Sequence, residues 1–151
     1  MPISIRQAVA ADAAVIVEFN RLLAEESEGK MLDVAVLAAG VAAGLADPRK
    51  SVYFLAEEDG LALGQIMFTT EWSDWRNGWF WWIQSVYVRP QARRCGVFRA
   101  LFEHVRQTAR ADGQVIGLRL YVERENRIAQ ETYRGMGMDA AGYLVFERYP
   151  L

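Results

Sequence analysis

The sequence predicts a mixed α+β domain, a central sheet that is part parallel and part antiparallel with helices on both faces. Three observations carry this. Strand-like and helix-like stretches alternate in the second half, which asks for parallel strands joined by crossover helices. Hairpin signals in the middle and near the end ask for antiparallel pairs. The chain of 151 residues, 52% hydrophobic and 24% charged, has the size and composition of one soluble globular domain. Residues 1–151 are therefore read as a single domain.

Residues 3–6 (ISIR) alternate and predict a first strand. Asp12 is an expected N-cap for a helix over 13–26, with Val15, Ile16, Phe19, Leu22 and Leu23 on its buried stripe. An acidic loop with Glu25, Glu26 and Glu28 closes it. Asp33 caps a second, alanine-rich helix over 34–46, ended by Asp47-Pro48. Residues 51–57 (SVYFLAE) predict a strand, and Asp59-Gly60 a tight hairpin into a strand over 61–71, with Gly64 marking a bulge or a close approach. After a loop with Asp74 and Asn77, residues 79–88 form the longest aromatic strand, stopped by Arg89-Pro90. Phe98, Leu101, Phe102, Val105 and Ala109 then fall at helical spacing, and Asp112-Gly113 ends that helix. Residues 115–122 predict another strand and Asn126 opens a short helix. Residues 138–149 predict a last pair of strands turning near Ala141-Gly142. The order is βααβββαβαββ, with a sheet of about seven strands.

Composition excludes several classes. No run approaches the roughly 18 apolar residues of a membrane helix, so no membrane partner is expected. A single cysteine, Cys95, rules out an internal disulfide, and with no signal-like N-terminus this points to the cytoplasm. With one cysteine and one histidine, His104, no Cys/His metal cluster is expected and no metal cofactor is called for. Residues 1–88 hold six basic and twelve acidic side chains, whereas residues 89–151 hold eleven arginines and seven acids. An acidic front and a basic back suit an anionic ligand on one side and a cationic one on the other. The acidic total and the lack of a basic stripe disfavour nucleic acid.

The basic half has a focus. Between the aromatic strand and the following helix lies Arg93-Arg94-Cys95-Gly96. Such a turn aims unpaired N–H groups and the positive end of a helix macrodipole at one point, flanked by guanidinium groups, and suits a phosphate. Cys95 sits where a thiol pKa could be lowered, but no histidine partner is evident.

Here the chain resembles the GNAT N-acyltransferase superfamily along nearly its whole length. The family's pyrophosphate motif, Gln/Arg-x-x-Gly-x-Gly/Ala, is similar to Arg93-Arg94-Cys95-Gly96-Val97-Phe98, followed by Arg99. Phe98 departs from the small residue usual there, and its side chain is expected to point into the core. Residues 122–138, with Asn126, Ala129, Tyr133 and Gly135, resemble the family's second motif at its usual spacing. The resemblance implies a GNAT-like fold and acetyl-CoA as cosubstrate. It puts the pyrophosphate on the N–H groups of residues 93–99, and the pantetheine arm beside Val86, Tyr87 and Val88 where two parallel strands splay. Asn126 and Ala129 would approach the arm from the other side, and Tyr133 would be the general acid for the leaving thiolate. The backbone N–H of Val86 or Tyr87 is the expected oxyanion donor.

The acceptor side is less defined. Where many relatives carry a carboxylate on the strand before the motif, this chain has Gln84 followed by Ser85. Glu71 is the leading candidate base, with Asp74, Glu26 and Glu28 the other carboxylates expected near the site. Trp72 and Trp75, outside the regular strand, could line a pocket with these acids for a protonated amine. This segment also bears a weaker likeness to diamine and polyamine acetyltransferases. The reaction expected is transfer of an acetyl group to a primary amine of a small molecule, polyamine-like in character. An amino acid, aminoglycoside or protein N-terminus, a longer acyl donor, and a non-catalytic acyl-CoA sensor of the same fold stay open. An exposed sheet edge and a C-terminal hairpin would suit a homodimer.

Overall fold

Four successive hairpin or crossover signals resolve into one sheet. The computed structural model describes residues 2–151, and its elements are β1 (Ser4–Gln7), α1 (Ala13–Glu28), α2 (Val34–Ala46), β2 (Val52–Glu58), β3 (Leu61–Ser73), β4 (Gly78–Val88), α3 (Val97–Asp112), β5 (Val115–Leu120) and α4 (Arg127–Gly135). The strand order is β1-β2-β3-β4-β5. β1 to β4 pair antiparallel, and β5 joins β4 in parallel through the α3 crossover. A mixed sheet flanked by helices is thus what forms.

Alternation along β2 explains why both faces are covered. Tyr53 and Leu55 meet Ile16 and Phe19 of α1, Val41 of α2 and Tyr87 of β4 in one buried cluster. Phe54 points the other way, where His104 of α3 packs edge-on against its ring at 4.7 Å. On that face Phe68 and Trp81 stack at 3.8 Å, and α3 contributes Val97, Leu101, Phe102, Val105 and Ala109 as its buried stripe. Phe19, Ile16, Leu55 and Leu101 are fully buried, each contributing roughly 1.5–3 kcal/mol of hydrophobic stabilisation.

Three expectations are corrected. Asp12 does not cap α1, because it already has helical dihedrals and its side chain turns back. It accepts from the Val9 N–H at 2.7 Å and from both terminal nitrogens of Arg6 at 2.8 Å. The Arg6 guanidinium holds its carboxyl below the ordinary range. Asp33 does cap α2, accepting from Ala35 and Val36. Second, residues 138–149 form no strand, so the described sheet has five strands rather than about seven. Tyr143, Leu144, Val145 and Phe146 are exposed there. Strand-like composition states a preference for a pleated, half-buried surface, but a strand forms only where a ladder partner is supplied. Third, β5 ends at Leu120, two residues sooner than predicted.

The chain divides into two units, one ending at Leu120 and the other covering residues 121–151. In the second, Asn126 caps α4 by accepting from the Ala129 N–H at 3.1 Å. Among the described residues no helix is long and apolar enough to cross a membrane.

Candidate active site

The two halves of β4 have different neighbours. From Trp79 to Ile83 it lies between β3 and β5, register-matched to residues 115–120. β5 then stops, and residues 84–88 of β4 continue with β3 as the only strand beside them among the described residues. Backbone groups on the open side are therefore presented as a sheet edge, a surface on which an extended ligand can pair.

That open half carries a bulge. Gln65 opposes Tyr87 and Met67 opposes Gln84, so Ser85 and Val86 together face Ile66. Ser85 has φ 51°, a left-handed conformation uncommon outside glycine. Its carbonyl accepts a 2.9 Å hydrogen bond from Nε2 of Gln65. Gln65 is fully buried, and its Oε1 has no hydrogen-bond partner among the described residues. Gly64 permits a close approach just beyond: a Cβ there would lie 2.6 Å from the Tyr87 carbonyl oxygen and 3.2 Å from the Val88 Cα. Tyr87 is buried against Phe19, with ring centroids 5.4 Å apart. Val86 and Val88 are part-exposed.

The open edge leads straight into the anion turn. After a short 3-10 turn at Pro90–Ala92, Arg94 (φ 62°) and Gly96 (φ 83°) bend the chain into α3. Gly96 is the N-cap and gives α3 no side-chain cap, so its first-turn N–H groups are directed outward toward any acceptor that docks there. A cleft of about 340 Å³ opens here, its walls including Val88, Arg93, Arg94, Phe98 and Arg99. Val97 is buried beneath this cleft wall. Phe98 does not withdraw into the core as expected: it is half-buried, packs beside Phe102 at 6.1 Å and lines the cleft wall. Exposed Cys95 donates its thiol to the Arg93 carbonyl at 3.4 Å.

Glu26, expected on the acceptor side, reaches the anion turn instead. Its Oε2 accepts from Arg93 at 2.7 Å, and its Oε1 accepts from the Tyr87 hydroxyl at 3.3 Å. Arg93 is also tied to the Val88 carbonyl at 2.9 Å and lies 5.6 Å over the Tyr87 ring. Burial, and secondarily the Glu26 charge, push the Tyr87 phenol up. Glu28 is exposed and pairs with Lys30 at 3.7 Å.

Strand register separates the remaining acceptor candidates from the bulge. Glu71 opposes Phe80, six residues along β4 from Val86, roughly 20 Å at strand spacing. Its Oε1 accepts from Arg119 at 2.7 Å, and Arg119 in turn lies 3.7 Å over the Phe80 ring. Glu71, the expected base, is therefore remote from the bulge and already paired with Arg119. Trp72, Asp74 and Trp75 lie at the β3–β4 turn, where Ser73 faces Gly78, roughly 25 Å along the strand. Trp72 packs edge-on against Trp79 at 5.0 Å, Trp75 is exposed, and Asp74 accepts from the Trp75 N–H. Gln84 does sit beside the bulge, donating to the Thr69 hydroxyl at 2.7 Å.

In the C-terminal unit, Asn126, Ala129 and Tyr133 share α4, with Asn126 and Ala129 joined by the cap. Burial pushes the Tyr133 phenol up, so it stays protonated beyond the ordinary phenol range. Sequence reasoning overlooked Gln65. A visible signal existed, since it is the one hydrogen-bonding side chain in the run LALGQIMF, and buried polar groups in apolar strands hold something in place.

Comparison with known proteins fits this arrangement. The family model described as Acetyltransferase (GNAT) family matches residues 17–138. A possible acetyltransferase from Clostridium difficile 630 is similar over 100% of this chain and 99% of its own, at 44% identity and TM-score 0.94. A predicted acetyltransferase with acetyl-CoA from Clostridium acetobutylicum shares the fold at 18% identity and TM-score 0.79, over 97% and 96% of the two chains. So does a ribosomal-protein-alanine N-acetyltransferase from Brucella melitensis biovar Abortus 2308, at 16% identity and TM-score 0.80, over 98% and 99%. None of the curated proteins compared matches. With an open bulged strand feeding an uncapped, arginine-flanked helix start, and a family match over most of its length, the chain belongs to the GNAT acetyltransferase family.

Proposed function

We propose that the protein transfers the acetyl group of acetyl-CoA directly to the primary amine of a small molecule. The observation that carries this is the continuity of residues 84–88 of β4 with the anion turn at Arg93–Arg99. A pantetheine arm can pair along the first while the pyrophosphate docks on the second. The bulge gives the Val86 N–H as donor to the carbonyl oxygen as it becomes an oxyanion. The neutral amine nitrogen bonds to the thioester carbon, the C–S bond breaks with its electron pair on sulfur, the thiolate takes a proton from an acid, and the new amide nitrogen loses its extra proton to water. Tyr133, whose phenol burial keeps protonated, is the proposed acid.

The front half is acidic, which supports a cationic, polyamine-like acceptor that loses a proton before attack. The Trp72–Trp75 turn is not part of this reading, because its register is far from the bulge. Cytoplasmic residence and a homodimer belong to the same proposal. The second is supported by the exposed Tyr143, Leu144, Val145 and Phe146, and light scattering in solution tests it.

Thiol release across an amine panel is the test. At least one amine gives release well above hydrolysis, and Tyr133→Phe lowers kcat about 100-fold with CoA affinity unchanged. The sign of the pH effect follows from the raised phenol: the alkaline fall in kcat lies above the ordinary phenol range and vanishes in Tyr133→Phe. One observation favours a second reading, an acyl-CoA sensor: Gln84 is no base, and Glu26 and Glu71 are both ion-paired. Tight CoA binding without release for any amine would establish it.

A further inference from the structure

We infer that Gln65 is a positioning residue that sets the orientation of the Val86 N–H, acting through the Ser85–Val86 peptide. Two unfavourable features meet at one hydrogen bond. Ser85 holds a left-handed φ of 51° that a serine does not adopt without compensation. Gln65, fully buried, leaves its Oε1 without a partner among the described residues, a state that buried polar groups avoid. The bond between them, Gln65 Nε2 to the Ser85 carbonyl at 2.9 Å, is what both features serve. The amide cannot be turned over to satisfy Oε1, since that would set an acceptor against the Ser85 oxygen.

The peptide's planarity carries the effect to the site. The Ser85 carbonyl and the Val86 N–H belong to one trans peptide and point in opposite directions. Fixing the carbonyl on the Gln65 side chain turns the Val86 N–H away from that side chain, at a position of β4 that β5 no longer flanks. Gln65 itself is held rigidly. Its cross-strand neighbours Leu55 and Tyr87 both belong to the buried cluster around Phe19. An apolar side chain of the same length would fill the space and spare the orphaned oxygen, so packing alone gives no reason for glutamine here. The inference rests on the proposed role of Val86 as oxyanion donor and extends it one residue inward.

Gln65→Met keeps length and volume and removes the donor. In the full chain, acetyl transfer is expected to fall about 10- to 100-fold in kcat, as for a misaimed oxyanion donor, with KM and CoA affinity within about twofold. The Val86 amide, followed by 15N NMR without any ligand, is expected to shift and to exchange faster than in the wild type. Gln65→Glu supplies a second arm. Its carboxylate faces the Ser85 oxygen unfavourably, but the protonated acid can donate to it, so its activity relative to wild type should rise as pH falls. Wild-type kcat in Gln65→Met with an unmoved Val86 amide overturns the inference. If the wild type transfers to no amine, the oxyanion reading fails, and the Val86 amide alone then judges whether Gln65 aims that peptide.

Discussion

The lower and upper halves of β4 are one strand with two physical roles. Residues 79–83 lie between two strands, with Trp81 stacked on Phe68 and Arg119 over Phe80. Every local device there adds packing. Residues 84–88 lose one neighbour, admit a left-handed serine, and rely on a buried glutamine with an unsatisfied oxygen. Tyr87 still anchors this half in the core, but around it pairing and backbone ease are given up and an edge is left open. Local rules are expected to fail at functional sites, and in this strand the boundary falls between Ile83 and Gln84, where the proposed acetyl-CoA site begins.

Gly64→Ala tests that boundary with the largest expected effect on stability. Its Cβ would meet backbone, the Tyr87 oxygen at 2.6 Å and the Val88 Cα at 3.2 Å, which cannot swing aside. A loss of about 1–3 kcal/mol in denaturant unfolding is expected, together with weaker CoA binding as β3 and β4 separate. Gly78→Ala is the control in the lower half. Its nearest contact is the branch methyl Cγ2 of Ile116 at 2.5 Å, on a side chain that is 46% exposed and has room to shift outward, and the nearest backbone atom, the Gln114 oxygen, is at 3.2 Å. Less than half the Gly64→Ala loss, with CoA binding unchanged, is the expected result. Equal losses would mean that the two halves are built alike.

What the sequence revealed follows the same division. The stripe of Leu101, Phe102 and Val105 and the cap at Asp33 were readable because their causes lie within a few residues. The anion turn was readable for the same reason, as arginines and a glycine before an amphipathic helix. Gly64 signalled a bulge or close approach on β3, but the left-handed Ser85 on β4 was hidden, because no local feature of Ser85 foretells a positive φ and the partner of its carbonyl, Gln65, lies twenty residues earlier. The place of Glu26 against Arg93 and Tyr87 depends on how α1 crosses β4, and Phe98 had to be seen on the cleft wall. The predicted strands over 138–149 failed for the complementary reason, since propensity cannot supply a ladder partner.

Arg93→Ala is expected to have the next largest effect, on CoA affinity. Its guanidinium is oriented by the Val88 carbonyl and Glu26, and a charge-assisted contact to a phosphate is worth about 1.5–3 kcal/mol. Partial exposure on both sides of the Glu26 pair, 46% and 41%, discounts this. A tenfold weakening by calorimetry, about 1.4 kcal/mol, is expected, shrinking as salt rises. The ion pair with Glu26 adds little stability of its own, so Arg93→Ala should leave unfolding nearly unchanged. Unaltered CoA binding would remove Arg93 from the pyrophosphate site and leave it as a brace between α1 and β4.

Glu71→Gln is expected to do the least, and for that reason it probes the lower half most directly. Its pair with Arg119 is partly exposed, 46% on the Glu71 side, and such pairs contribute about 0–1 kcal/mol. Arg119 would keep its place over Phe80, since the cation–ring contact at 3.7 Å does not need the carboxylate. Stability within about 1 kcal/mol and turnover within about twofold are expected, with an unchanged pH profile. Loss of the acid limb of kcat/KM in Glu71→Gln would mean that the acceptor's proton leaves through the lower half of β4. The strand would then share catalysis along its length, and the division at Gln84 would mark only where the thioester sits.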